Sequence, residues 1–474
     1  MTSADPGHPA PAPDTGLLAP VRAGTAVEAL TDDPALVRAM LDAEVALVRA
    51  QASLGLVPPG AAEAIAAAAA APGRFDPREL ALRARSGANP VIALVAELTA
   101  AVEESDPEAA ARVHLGATSQ DILDTALMAV SVRAVDQVLA DLARVARDLG
   151  RLAAAHRDTT MPGRTLTQHA VPTTFGLKAA GWRSLVLDAY DRLKAVRDGL
   201  PAQLGGAAGT QAAFIAYAEA ATDVAGPDLG LRLSAAFAEQ CGLAEPALPW
   251  HVLRTPVAEL GGALALASGA LGKLAADVLV LSRTEIGEVS EGTGGGSSAM
   301  PHKANPARAT LIAGAARRVP ALASVLYASL VAEDERPPGA WHAEWPTVRD
   351  ALRTVGGMAA TAVELVTGLR VHPDRMRTNG DATEGQLTAE RLVAALTPLT
   401  GRAEARAAVT RAGRASTDLA SALGDDPALR GLVTGERLRA LTDPAGYHGS
   451  AGTLVDRALR RPDPEPPHTV QGAP

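Results

Sequence analysis

Three separated stretches of this chain combine small, polar and hydrogen-bonding residues. The most informative is Glu291-Gly292-Thr293-Gly294-Gly295-Gly296-Ser297-Ser298-Ala299-Met300-Pro301-His302-Lys303-Ala304-Asn305-Pro306. Its glycines free the backbone, since glycine reaches positive φ without steric cost. Ser297 and Ser298 supply hydroxyls and Lys303 a positive charge. A plain flexible linker is Gly/Ser-rich throughout. This run ends in MPHKANP and reads instead as a loop that closes over an anionic substrate. The second stretch, His114 to Asp121 (HLGATSQD), opens a long helical pattern. Thr118 or Ser119 can cap that helix, and free N–H groups at a helix start bind carboxylates. The third runs from Gly163 to Gly176, with Thr165, Gln168 and His169 as candidates for a polar pocket. Its plainer reading is a turn followed by a capped helix, with His169 merely satisfied.

Together these parts suit one kind of chemistry. A substrate carboxylate held by helix-terminal N–H groups, Thr and Lys becomes a better electron sink, and its α-proton becomes more acidic. A serine in a glycine-rich loop can take that proton if backbone N–H groups and Lys303 stabilise its alkoxide. Exclusion of water by the closing loop strengthens every such interaction. The reaction that follows is anti addition or elimination across a Cα–Cβ bond beside a carboxylate. Other templates fit poorly. There is no G-x-S-x-G elbow, dinucleotide fingerprint, P-loop or H-E-x-x-H. The ten histidines are scattered, and His342 and Glu344, two apart, do not share a helix face. No metal is expected.

The elements that must position these residues are helices. Apolar stripes at helical spacing cover Ala35–Gly55, Ile122–Leu149, Gly176–Leu200, Val257–Val289 and Ala307–Val331, the last with a kink expected at Pro320. Thr31-Asp32-Asp33-Pro34 supplies cap candidates for the first. Strand-like alternation is almost absent and aromatics make up 3% of the 474 residues, so an all-α fold is expected. Long helices without heptad charges, rich in Ala and Gly, imply a bundle buried on several sides. Chain breaks place domain boundaries near 113 and 367. The division is then a tail (1–16), an N-terminal helical domain (17–113), a central bundle (114–367), a C-terminal helical domain (368–460) and a disordered tail (461–474). The net charge of −9 with no basic block argues against nucleic acid. The lone Cys241 excludes an intrachain disulfide and fits a reducing cytoplasm. The N-terminus lacks a signal-peptide pattern, and the Ala61–Ala71 run is far shorter than a membrane span.

The 291–306 run resembles the GSSxMPxKxNP signature of the fumarase/aspartase superfamily, and the three stretches, in order, resemble its three signature regions. The likeness runs from about Leu17 to about Leu396. It implies an all-helical protomer with a central five-helix bundle, and a homotetramer whose active sites are each built from three subunits. The substrate it implies is a small di- or tricarboxylate. Within the superfamily the chain is most similar to the 3-carboxy-cis,cis-muconate cycloisomerase branch. The marks are HLGATSQDILDT (114–125), TTFGLKAAGW (173–182), LPWH (248–251) and GAWHAEW (339–345). That branch implies no cofactor and a place in aromatic catabolism through β-ketoadipate. By the resemblance Ser297 is the loop base. Thr118, Ser119, Gln120, Lys303 and Asn305 bind carboxylates, and His114, Arg254 and Arg336 fall where relatives place substrate-binding groups. Thr165, Gln168, Ser298 and Met300 join them as substrate-binding candidates.

Two departures stand out. Where fumarase and adenylosuccinate lyase relatives carry a proton-transferring histidine, this chain has Leu166, as the cycloisomerase branch also lacks it. If the segment is helical, His169 shares a face with Leu166 and partly replaces the missing acid. Thr255-Pro256 follows Arg254, where many cycloisomerases carry a charged pair. Cycloisomerisation is the leading expectation. Release of fumarate from a substituted succinate, such as nitrosuccinate or adenylosuccinate, is the alternative. A non-catalytic relative reusing the tetramer is a third, opposed by the intact Ser297, Lys303 and Asn305.

Overall fold

The computed structural model describes residues 16–71, 73–221, 224, 226, 228–292, 295–296, 300, 303–415 and 418–465. Residues 1–15, Ser297 and Ser298 lie outside the described residues, as does 466–474.

The fold is helical, as the periodicity predicts. Asp33–Ser53 forms the first long helix, and the Asp32 side chain accepts from Ala35 N at 2.8 Å with Pro34 in the first turn. Ser119–Ala155, Phe175–Asp198, Thr255–Leu281 and Ala340–Thr367 are the other long helices. Two expectations are corrected in detail. The helix expected over 257–289 stops at Leu281, because the chain turns out through Gly287 at φ +60° into a short strand. The expected kink at Pro320 is a full break between Ala307–Ala316 and Val319–Ala328, with Pro320 in the first turn of the second helix. There its missing N–H is harmless. Thr255–Leu281 is long and apolar enough to cross a membrane by length and composition, but half of its most apolar window is buried within the protein.

Four short strands make two antiparallel pairs among the described residues. β1 (Thr160–Thr165) pairs with β2 (Gln168–Thr174), and β3 (Val289–Glu291) with β4 (Leu369–Val371).

The chain divides into two compact units. The first holds 1–138, 192–268 and 317–360; the second holds 139–191, 269–316 and 361–474. In the first, the helix Asp33–Ser53 buries Met40, Leu41 and Leu47 in one core with Leu229, Leu233 and Phe237. In the second, a separate core gathers Leu392, Leu396, Val409, Leu423 and Leu438. Within the second unit the expected disorder after Arg461 is corrected for 461–465. Arg183 donates to Ala458 O, Arg461 O and Asp463, and the Tyr190 hydroxyl donates to Glu465 O at 2.7 Å.

Candidate active site

In the first unit, polar groups converge on the start of the helix Ser119–Ala155. Asp121, fully buried in its first turn, organises the surrounding backbone. Its Oδ1 accepts from Gly205 N and His251 Nε2, both at 2.8 Å. Its Oδ2 accepts from Gly206 N at 2.9 Å and Thr118 N at 3.0 Å. The close approach requires glycine: a Cβ at Gly205 would lie 2.7 Å from the His251 ring. Asp124, one turn on, takes four donors. Trp341 Nε1 (2.9 Å) and Arg254 Nη2 (3.1 Å) reach one oxygen; Arg254 Nη1 (2.7 Å) and Gln120 Nε2 (3.1 Å) reach the other.

Arg254 is 1% exposed. Its guanidinium lies over the Trp250 ring and donates to Asp124, Glu344 and Trp250 O, which occupies all five N–H groups. This corrects its expected role: Arg254 has no N–H left for a substrate and instead ties Asp124, Glu344 and the Trp250 backbone together. Burial raises the Glu344 carboxyl above its ordinary range, with Arg254 opposing. The Gln120 side chain is corrected in the same way. It is fully buried, and Nε2 gives one hydrogen to Asp124 and the other to His251 O at 2.9 Å. Its Oε1 accepts from Arg336 Nε at 3.0 Å. Arg336 Nη2 donates to Thr118 Oγ1 at 3.0 Å and Ala207 O at 3.3 Å, leaving Nη1 without a partner among the described residues. The Thr118 hydroxyl therefore receives Arg336. The half-buried Ser119 hydroxyl has no partner among the described residues.

His114 sits at the edge of this group at φ +57°. Its Nδ1 is 2.6 Å from Oε1 of the buried Glu44. Burial works to lower the imidazole pKa, but the bond to Glu44, its charge and that of Asp121 outweigh it, and the result lies above the ordinary histidine value. The open edge of Arg336 gives this unit a cationic group for an anion, while any charge on His114 is met by Glu44.

The second unit carries the other candidates. Leu166 and Thr167, at φ +47° and +73°, form the two-residue turn joining β1 to β2. Positive φ at both central positions is the type I′ hairpin geometry. The expectation of a shared helical face for Leu166 and His169 is thereby corrected: Leu166 is 96% exposed at the tip, and His169 stands across the ladder from Arg164. Thr165 and Gln168 flank the turn and are exposed. The capped helix does follow, with Leu177 N donating to Thr174 Oγ1 at 3.1 Å. Arg164 is paired with the buried Glu288, which also accepts from Asn379 Nδ2 at 2.8 Å. A cavity of about 280 Å³ lies beside them, lined in part by Arg164, Thr167, His169, Glu285 and Asn379. Partial burial and then the Arg164 charge lower the His169 pKa, against Glu288. His169 is thus a neutral imidazole over a wider pH range than a free one.

The base of the glycine-rich loop is firmly tied. Glu291 accepts from Ala309 N (2.9 Å) and Arg308 N (3.2 Å), capping the next helix, and Gly292 N donates to Gly368 O at 2.8 Å. Gly295 and Asn305 exchange both backbone hydrogen bonds at 2.9 Å. Lys303 and Met300 are exposed, and Lys303 N donates to Met300 O at 3.0 Å. Among the described residues no group of three or more His, Cys, Asp or Glu could hold a metal ion. Sequence reasoning missed Asp124, Glu344 and Trp341 as parts of the site. The signal available was the Gln120/Asp124 spacing of four, which puts both on one helix face.

The scaffold is helical, with a polar stretch opening a long helix and a Ser- and Lys-bearing loop tied at its base, as the lyase resemblance implies. Residues 23–321 match the family model described as lyase, and the chain belongs to that family, within the fumarase/aspartase superfamily, and is an enzyme. Nitrosuccinate lyase of Streptomyces davaonensis is 54% identical, over 96% of this chain and 96% of its own. The 3-carboxy-cis,cis-muconate cycloisomerase of Bradyrhizobium diazoefficiens is 40% identical, over 94% and 97%. The crystal structure of 3-carboxy-cis,cis-muconate lactonizing enzyme from Pseudomonas putida superimposes with a TM-score of 0.84 at 39% identity, covering 92% of this chain and 96% of that one.

Proposed function

We propose that the chain catalyses anti addition or elimination across a Cα–Cβ bond beside a carboxylate, in the manner of a 3-carboxy-cis,cis-muconate cycloisomerase. The observation that carries this reading is Arg336, held by Gln120 and Thr118 at the helix start with Nη1 without a partner among the described residues, in a chain similar to those enzymes over nearly its whole length. In the elimination direction Ser297 removes the proton from Cα. The electron pair enters the carboxylate, held by Thr118, Ser119, Arg336, Lys303 and Asn305, and then expels the group on Cβ as the double bond forms. In lactonisation the steps reverse: a substrate carboxylate oxygen adds at Cβ and the serine hydroxyl returns a proton to Cα. His114, Thr165, Gln168, Ser298 and Met300 complete the substrate contacts. His169, neutral and partly exposed, serves the departing or attacking group, and no cofactor takes part.

One observation favours a second reading, release of fumarate from a substituted succinate. The relative at 54% identity acts on nitrosuccinate, and its identity exceeds that of the cycloisomerases. Loss of the Cα proton and of nitrite from nitrosuccinate leaves fumarate. The Thr255-Pro256 departure after Arg254 accords with a changed substrate. Parallel incubation with 3-carboxy-cis,cis-muconate, nitrosuccinate and adenylosuccinate separates the readings. Lactone supports the first; fumarate without lactone supports the second.

The wider setting follows from the superfamily resemblance. The enzyme works in the cytoplasm as a homotetramer with active sites shared between subunits. The protomer has three domains bounded near 113 and 367. If lactone forms, its place is aromatic hydrocarbon catabolism through the β-ketoadipate route.

A further inference from the structure

We infer that Gln120 is a positioning residue that aims Arg336 at a substrate carboxylate without neutralising it. The inference rests on the carboxylate-binding reading above. Both acceptors of Gln120 Nε2 are oxygens that carry no hydrogen, Asp124 Oδ2 and His251 O, so the amide has one orientation only. Asp124 cannot swing to release it. Arg254 clamps both its oxygens, Trp341 adds a third tie, and Arg254 is itself fixed by Glu344 and the Trp250 ring. The buried ion cluster therefore ends in a single rigid acceptor, Gln120 Oε1. That acceptor takes Arg336 Nε, while Thr118 Oγ1 and Ala207 O take Nη2. Two anchors fix a planar guanidinium in plane and in rotation, and Nη1 is left without a partner among the described residues. The residue type matters. A carboxylate at 120 would pair with Arg336 and cancel the charge that attracts the substrate. A neutral amide orients the group and leaves its charge whole.

The test is the dissociation constant of succinate, a simple dicarboxylate, for the full-length enzyme, measured by calorimetry. Variants are Gln120→Met, which keeps side-chain length, Thr118→Val, Arg336→Ala, and the double variant Gln120→Met/Arg336→Ala. Gln120→Met and Thr118→Val are each expected to weaken succinate roughly tenfold, the loss of one charge-assisted hydrogen bond. In the Arg336→Ala background Gln120→Met is expected to add less than about twofold, because the group it aims is gone. Undiminished affinity in Gln120→Met, or an equal loss in both backgrounds, would overturn the inference. If Gln120→Met does not fold, Gln120→Leu in the same two backgrounds carries the same test, because Thr118 is itself a proposed substrate contact. A wild-type enzyme that does not bind succinate would overturn the carboxylate reading itself, and the positioning role of Gln120 with it, and that pattern differs from wild-type binding unaffected by the variants.

Discussion

Arg254 shows how residue-level geometry reassigns a role. Removing its charge strands two buried carboxylates, Asp124 and Glu344, that it now pairs. Breaking one side of a buried ion cluster is strongly destabilising, by about 3–5 kcal/mol. Arg254→Met should therefore lower the unfolding free energy by that order in urea titration; a loss below about 1 kcal/mol would contradict a structural role. His114 provides a pH signature. Its pKa is raised in the folded state, so its stabilising pairing with Glu44 is fully present below the ordinary histidine pKa of about 6.5 and is lost as pH rises through the higher folded value. The stability gap between wild type and Glu44→Gln should shrink as pH rises from below the ordinary histidine value through the higher folded one. A gap that stays constant over that range would contradict a charged His114. His169, pushed down by burial and Arg164, tests differently. His169→Gln should alter the acid limb of the pH–rate profile, and an unchanged rate and profile would remove it from the mechanism.

At the scale of elements, the β1–β2 hairpin is the feature that periodicity could not reveal. β1 contains Pro162 and Gly163, which read as breakers, and the turn carries Leu-Thr rather than Asn-Gly. Gly163 is needed there because a Cβ would meet Val171 O at 2.6 Å. Leu166 and Thr167 are held at positive φ, which strains side-chain-bearing residues, most of all a β-branched one. Replacing them with Asn and Gly should stabilise the protein by about 1 kcal/mol, read from the thermal midpoint, because that pair adopts the turn without strain. No gain would mean that the turn is set by other contacts. Four of the five long helices, by contrast, are legible to within a few residues at most ends, since each rests on a continuous apolar stripe with caps such as Asp32, whereas Ala340–Thr367 is not among the expected helices. The break before Pro320 and the early end at Leu281 were not legible, because backbone geometry at single residues decided them.

For the whole molecule, the all-α class is legible in spacing and the candidate residues are named by motif and family resemblance, whereas the hydrogen bonds among them are not legible. Gln120 and Arg254 look like substrate ligands in sequence, yet three-dimensional saturation by Asp124, His251 O and Glu344 turns both into supports. The proposed sharing of active sites between subunits makes a further prediction at this scale. Mixing Ser297→Ala subunits with Arg336→Ala subunits, each nearly inactive alone, should restore part of the activity in mixed tetramers; no recovery after verified subunit exchange would contradict sites built across subunits. The central claim is that the chain runs serine-initiated addition or elimination beside a carboxylate. Its most direct test is turnover of 3-carboxy-cis,cis-muconate and nitrosuccinate by wild type and Ser297→Ala, following lactone and fumarate. The expected result is turnover of one of the two by the wild type and a loss of roughly a thousandfold or more in a folded Ser297→Ala variant. Turnover of neither substrate nor of adenylosuccinate, or an unimpaired Ser297→Ala, would contradict it.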